Sequence, residues 1–169
     1  MTSSVPSDQD NPLDNSVDEE SVFDELAYEV MLVTRYSVHN MPAVNRNFIM
    51  DRSALVLLAR LDAQGPMTVN ELAEAFGLNV STVHRQLKAA INNELIEVVD
   101  DPSQPAKLHR PTELGREKLQ LELAERRNDL LRIMREWDPE DIKTHAQLLR
   151  KHNESLENHL HMPWPRPDK

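Results

Sequence analysis

The stretch TVNELAEAFGLNVSTVHRQLKAAINNELIEVV, residues 68–99, constrains the fold more than any other part of the chain. It sets two short amphipathic helices on either side of one glycine and follows them with a β-branched run. Thr68 and Glu71 have capping-box spacing, in which each side chain satisfies the other residue's free backbone N–H. Leu72, Ala73 and Phe76 then share one face, and Gly77 supplies the stop. Asn79 is the expected cap of the next helix, which is predicted to run to about Asn93. At 100° per residue Val83, Leu87 and Ala90 fall within about 40° of one another, with Val80 and Ile91 at the margin, which predicts a buried stripe. The opposite arc, from about 140° to 200°, holds Ser81, Arg85, Lys88 and Asn92, with Thr82 and His84 flanking it and no acid among them. Such cationic and hydrogen-bonding groups reach phosphates and base edges, Arg and Asn making paired bonds to guanine and adenine.

The flanking segments complete a mostly helical chain with one small hairpin. Val22, Leu26, Val30, Val33 and Val38 recur near helical spacing, and Pro42 stops that first helix. Asp51 is placed to cap RSALVLLARL, an apolar segment that reads as a buried helix ended by Gly65 and Pro66. After residue 93, LIEVVD reads as a strand, DPSQPA as a turn and KLHR as the returning strand. From Thr112 a long helix is predicted to about Trp137. Asp138 then caps a last helix, with Pro139 at its first position and acids where the helix dipole is positive. The inner face of that helix is predicted to be Ile142, Ala146, Leu149, Leu156 and Leu160. Three prolines in HMPWPRPDK bar any helical continuation, so the end of the chain is expected to trail over the surface. A helix, a turn, a second helix with a polar outer face and a hairpin form a winged helix-turn-helix, which points to the major groove of double-stranded DNA.

The chain's net charge of −10 does not oppose that reading, because nine of its 29 acids lie in residues 1–30, where there is no Lys or Arg. The remaining 20 acids meet 19 bases, leaving a nearly neutral body. With no cysteine, disulfides and thiolate metal sites are excluded, and the cytoplasm is the expected compartment. No membrane partner is expected, since no apolar run approaches the roughly 20 residues of a membrane span.

The residues LLARLDAQGPMTVNELAEAFGLNVSTVHRQLKAAINNELIEVVDDP, followed by PTELGREKL, resemble the MarR family of bacterial transcriptional regulators. The match includes Leu-Asn-Val-Ser-Thr-Val at the entry to the fourth helix and the Thr-x-x-Gly-Arg step at Thr112, Gly115 and Arg116, and it extends over about residues 22–160. The resemblance implies a homodimer built from the first helix and the last two, acting as a repressor on a near-palindromic operator. It also implies that a small aromatic or phenolic effector binds between the dimer and DNA-binding regions. Some positions depart from the family pattern. The wing carries SQPA where an Asp-Arg-Arg run is usual, and Val98 stands where an arginine is common. Glu94 replaces the usual glycine, leaving Asn93 to take the left-handed turn.

The expected organisation is therefore an acidic disordered tail over 1–19, a dimerisation region over 20–46 and 112–162, a winged helix-turn-helix over 47–111 and a Pro-rich tail over 163–169. The candidate DNA contacts are Asn79, Ser81, Thr82, His84, Arg85, Lys88 and Asn92 on the helix, with Lys107, His109 and Arg110 on the wing. Arg85, Lys88, Lys107 and Arg110 in two subunits allow at most about eight phosphate contacts. Tyr28, Arg35 and His39 share one face of the first helix and are the candidate effector contacts. His145, His152 and His159 recur every seven residues, about 10.5 Å apart, so no two can share a metal within one helix. No metal site or cofactor is expected. Nor is catalysis, since no nucleophile-and-base motif or phosphate-binding glycine loop occurs. The rival reading is an acidic winged-helix dimer that binds another protein instead of DNA.

Overall fold

The computed structural model describes residues 15–36, 49–103 and 105–166, which fall into two units, 1–45 and 46–169. The first unit contributes one helix, α1 (Asn15–Tyr36). It begins inside the stretch expected as a disordered tail. Phe23, Tyr28 and Val33 stand exposed along it. Val38, His39 and Pro42 lie outside the described residues.

In the second unit the elements run α2 (Arg52–Gln64), α3 (Val69–Phe76), α4 (Val80–Asn92), β1 (Ile96–Val99), β2 (Leu108–Pro111), α5 (Glu113–Ile133) and α6 (Pro139–Leu160). The expected caps form at α2, where Asp51 accepts the Ala54 N–H at 2.9 Å, and at α3, where Thr68 and Glu71 close the full box. α2 supplies the centre of the core, with Leu57, Leu58 and Leu61 almost wholly buried against Leu72 of α3, Val83 and Leu87 of α4, Ile96 of β1 and Leu119 of α5. Each such side chain contributes about 1.5–3 kcal/mol by leaving water.

β1 and β2 pair antiparallel, with Glu97 opposite Arg110 and Val98 opposite His109. A bridge from His109 to Met67 ties the hairpin to the loop between α2 and α3. The Thr-x-x-Gly step joins wing to α5. Thr112 donates its hydroxyl to Glu94 O at 2.6 Å and accepts the Gly115 N–H at 2.9 Å. A Cβ on Gly115 would stand 2.1 Å from the Leu95 carbonyl oxygen, so only glycine permits this approach.

Three expectations change. α5 stops at Ile133, four residues short of Trp137, because a turn at Met134–Glu136 intervenes before Asp138 caps α6 by accepting the Glu140 N–H. The face of α6 expected to be inner is exposed, and α6 has no buried residue among the described ones: Ile142, Leu149, Leu156 and Leu160 are 37–53% exposed. The chain after α6 does not simply trail over the surface. It is docked, with the Trp164 ring stacked on Phe76 at 6.0 Å.

Candidate nucleic-acid interface

α4 is held by its apolar stripe. Val83, Leu87 and Ala90 are 0–2% exposed, which turns Ser81, Arg85, Lys88 and Asn92 outward, all exposed, with His84 exposed and Thr82 half-buried on the flanks. Val80, at the stripe's margin, is 48% exposed at the first turn. Asn79 occupies the cap position and is exposed, but its side chain makes no cap hydrogen bond. Its backbone carbonyl alone accepts from Thr82 and Val83. Arg85 and Lys88 form no ion pair among the described residues, so both cations are available to an anion.

The helix ends in a Schellman motif, in which the Leu95 N–H bonds Ala90 O at 3.0 Å and the Glu94 N–H bonds Ile91 O at 2.9 Å. The left-handed residue is Glu94 (φ 58°), not Asn93 (φ −92°), so the expected assignment is corrected. Glu94 occupies the position where the chain must reverse, and the two hydrogen bonds hold it there against its side chain's preference.

The wing differs. Arg110 Nε lies 2.7 Å from Glu97 Oε1, and Lys107 pairs with Asp100. Both cations are exposed, yet each is matched by an acid of the same hairpin. His109 is not available at all. It is 6% exposed, its backbone exchanges hydrogen bonds with Met67 at 2.8 and 3.1 Å, and its Nδ1 lies 3.3 Å from Met67 O. Burial holds its imidazole below the usual histidine range, the Met67 carbonyl opposes that shift and His84 adds to it. His109 is therefore withdrawn as a DNA contact, because strand alternation points it inward while Arg110 points out. The sequence reading missed Glu97 and Asp100 as partners of the wing cations, although counting register back from the turn pairs Glu97 with Arg110.

Of the candidate effector contacts, Tyr28 is exposed on α1, and Arg35 sets its guanidinium 5.8 Å from the Tyr36 ring centre. His39 lies outside the described residues. An open groove of about 960 Å³ occurs elsewhere, lined by Arg52 of α2, Phe76 of α3, Gln86 of α4, Leu156 of α6 and Trp164. Among the described residues no three His, Asp or Glu side chains gather as metal ligands, and no helix is long and apolar enough to cross a membrane.

The fold that presents α4 is shared with known proteins. A family profile described as HVO_A0114 matches residues 49–112. The uncharacterized HTH-type transcriptional regulator YxaD of Bacillus subtilis (strain 168) is 32% identical over 132 residues, 78% of this chain and 92% of that protein. Among solved structures, a MarR family protein from Bacillus stearothermophilus superposes with a TM-score of 0.60 at 22% identity, covering 83% of this chain and 94% of its own. RV1404 from Mycobacterium tuberculosis does so with a TM-score of 0.62 at 22% identity, covering 88% and 97%.

Proposed function

The chain belongs to the HTH-type transcriptional regulators and has the fold of MarR family proteins, and from that premise we propose that it is a homodimeric repressor that places α4 in the major groove of a near-palindromic operator. The observation that carries this reading is the sorting of α4. Its aliphatic side is sealed in the core, while Ser81, Arg85 and Lys88 face outward with no acid on the helix to neutralise them. DNA is the partner that fits an unpaired cationic helix face of this size, with Arg85 suited to a guanine and Lys88 to a phosphate.

The dimer reading is supported by large apolar side chains that stand exposed among the described residues. Leu149, Leu156 and Leu160 of α6, Leu130 and Leu131 of α5, and Phe23 and Val33 of α1 are all exposed. Large apolar side chains exposed on each of these helices mark surfaces for association. These are the helices assigned to dimerisation, around the DNA-binding segment 47–111. The effector is a small aromatic or phenolic acid with Tyr28, Arg35 and His39 as its contacts, and its binding releases the operator.

Selection of bound fragments from random duplexes tests the core of the proposal. Recovery of an inverted repeat with half-sites about one helical turn apart is the expected result. Recovery of no enriched sequence would remove α4 from the groove. Release of the selected duplex by salicylate-like acids tests the effector, and Tyr28→Ala is expected to abolish the release.

A further inference from the structure

The residues after α6 make a set of contacts that DNA reading does not require. His161 closes α6 in a left-handed conformation (φ 55°), and the Met162 N–H returns to Glu157 O at 2.9 Å, which turns the chain back on the body. Met162 then lies over the turn between α3 and α4, so close that a Cβ on Gly77 would meet its sulfur at 2.9 Å. Trp164 stacks on Phe76, the last residue of α3, with 26° between the ring planes. From beneath, Arg60 of α2 donates Nη1 to Pro163 O at 2.7 Å and sets its guanidinium 5.2 Å from the Trp164 ring centre. On the far side Glu157 accepts the Trp164 N–H at 3.1 Å and pairs with Arg166.

Two features set this segment apart from an ordinary chain end. Arg60 is only 6% exposed, and among the described residues its Nε has no acceptor, so the Pro163 carbonyl and the Trp164 ring are what offset the cost of burying its charge. α6 itself offers no buried side chain, whereas the segment grips Phe76 and Gly77, the two residues from which α4 departs.

We propose that Met162–Arg166 is a strap in which Arg60 and Trp164 act as positioning residues, fixing the helix-turn-helix against α6 and thereby the separation of the two recognition helices. The inference rests on the dimeric operator reading above. In a dimer joined through α6, the angle between α6 and α4 sets where each α4 meets its half-site. One added base pair moves the second half-site by about 3.4 Å and rotates it by about 35°. A dimer with both straps closed cannot follow that displacement, and one with the straps open can.

The test uses the selected operator rebuilt with half-site spacing altered by one base pair in either direction. Wild type is expected to lose about tenfold in affinity on each altered duplex, as for a badly mis-set base contact. Trp164→Ala is expected to reduce that penalty below about threefold, and Trp164→Phe, which keeps a ring between Phe76 and Arg60, to restore it. Arg166→Ala releases only the outer clamp, leaves the core untouched and is expected to fall between them; it serves if Trp164→Ala does not fold. A loss of stability alone would weaken binding to all three spacings equally. If Trp164→Ala or Arg166→Ala keeps the full spacing penalty, the strap does not position α4, while the operator reading stands. If wild type selects no inverted repeat, both fall together.

Discussion

α4 and the wing each present two cations to solvent, and the chain uses them differently. On α4, Arg85 and Lys88 sit on a helix without acids and pair with nothing among the described residues. On the wing, Lys107 and Arg110 are matched within the hairpin by Asp100 and Glu97. Exposed pairs of this kind add little to stability, but they change what an approaching phosphate meets, because each wing cation brings its counter-charge along. A count of surface cations therefore overstates the surface open to an anion, and the proposed DNA interface rests on α4.

Removing one cation from each surface gives the largest expected difference. Arg85→Ala should weaken the selected operator by about 2 kcal/mol, roughly 30-fold, with the dimer intact by sedimentation. Arg110→Ala should change it by less than about twofold, the scale of a surface pair. Equal losses in titrations of the two variants would break the contrast. Salt sharpens it further. Arg85 and Lys88 from two subunits bring four unpaired cations to the duplex, each displacing about one counterion, so log affinity against log salt should have a slope near −4. The double change Glu97→Gln and Asp100→Asn releases the wing cations and should steepen the slope toward about −7, the limit for eight contacts. An unchanged slope in that variant would show that the wing stays away from DNA even when its cations are freed.

The wing's attachment should respond to pH. His109 is held below its ordinary range by burial, so the unfolded chain takes up its proton first as pH falls. Stability carried by the neutral ring is present above about pH 6.5 and lost progressively below it. Melting temperature should therefore fall between about pH 7 and 5, and less so in His109→Gln. A profile identical in the variant would remove His109 as the source of the acid sensitivity.

How much of this was legible depended on the range of the interaction. The caps at Asp51, Thr68 and Asp138 and the stripe Val83, Leu87, Ala90 follow from spacing within one helix, and the structure has all of them. The Glu97–Arg110 pair depends on strand register across a turn, one step beyond local spacing. His109 depended on which way the returning strand faces. The strap was least legible, since three prolines exclude a helix without saying what Trp164 touches, and Arg60 lies 103 residues from Pro163 in the chain. The apolar stripe of α6 follows from spacing within one helix, whereas what packs on it is not specified by that spacing.

The smallest expected effect lies at the junction of the two surfaces, where α4 hands over to β1. Glu94 holds the left-handed position there, which costs a residue with a side chain about 1–2 kcal/mol. Glycine avoids that cost but has more freedom to lose from the unfolded chain, about 0.4–1 kcal/mol. Glu94→Gly should thus gain on the order of 0.5 kcal/mol in urea unfolding, with the slope of the transition unchanged. Asn93 has an ordinary φ, so Asn93→Gly should instead lose about 0.5–1 kcal/mol. The two variants move in opposite directions only if Glu94 makes the turn. A gain at Asn93 would put the reversal one residue earlier and shift the register in which Glu97 meets Arg110, and with it the reason that the wing's cations are neutralised.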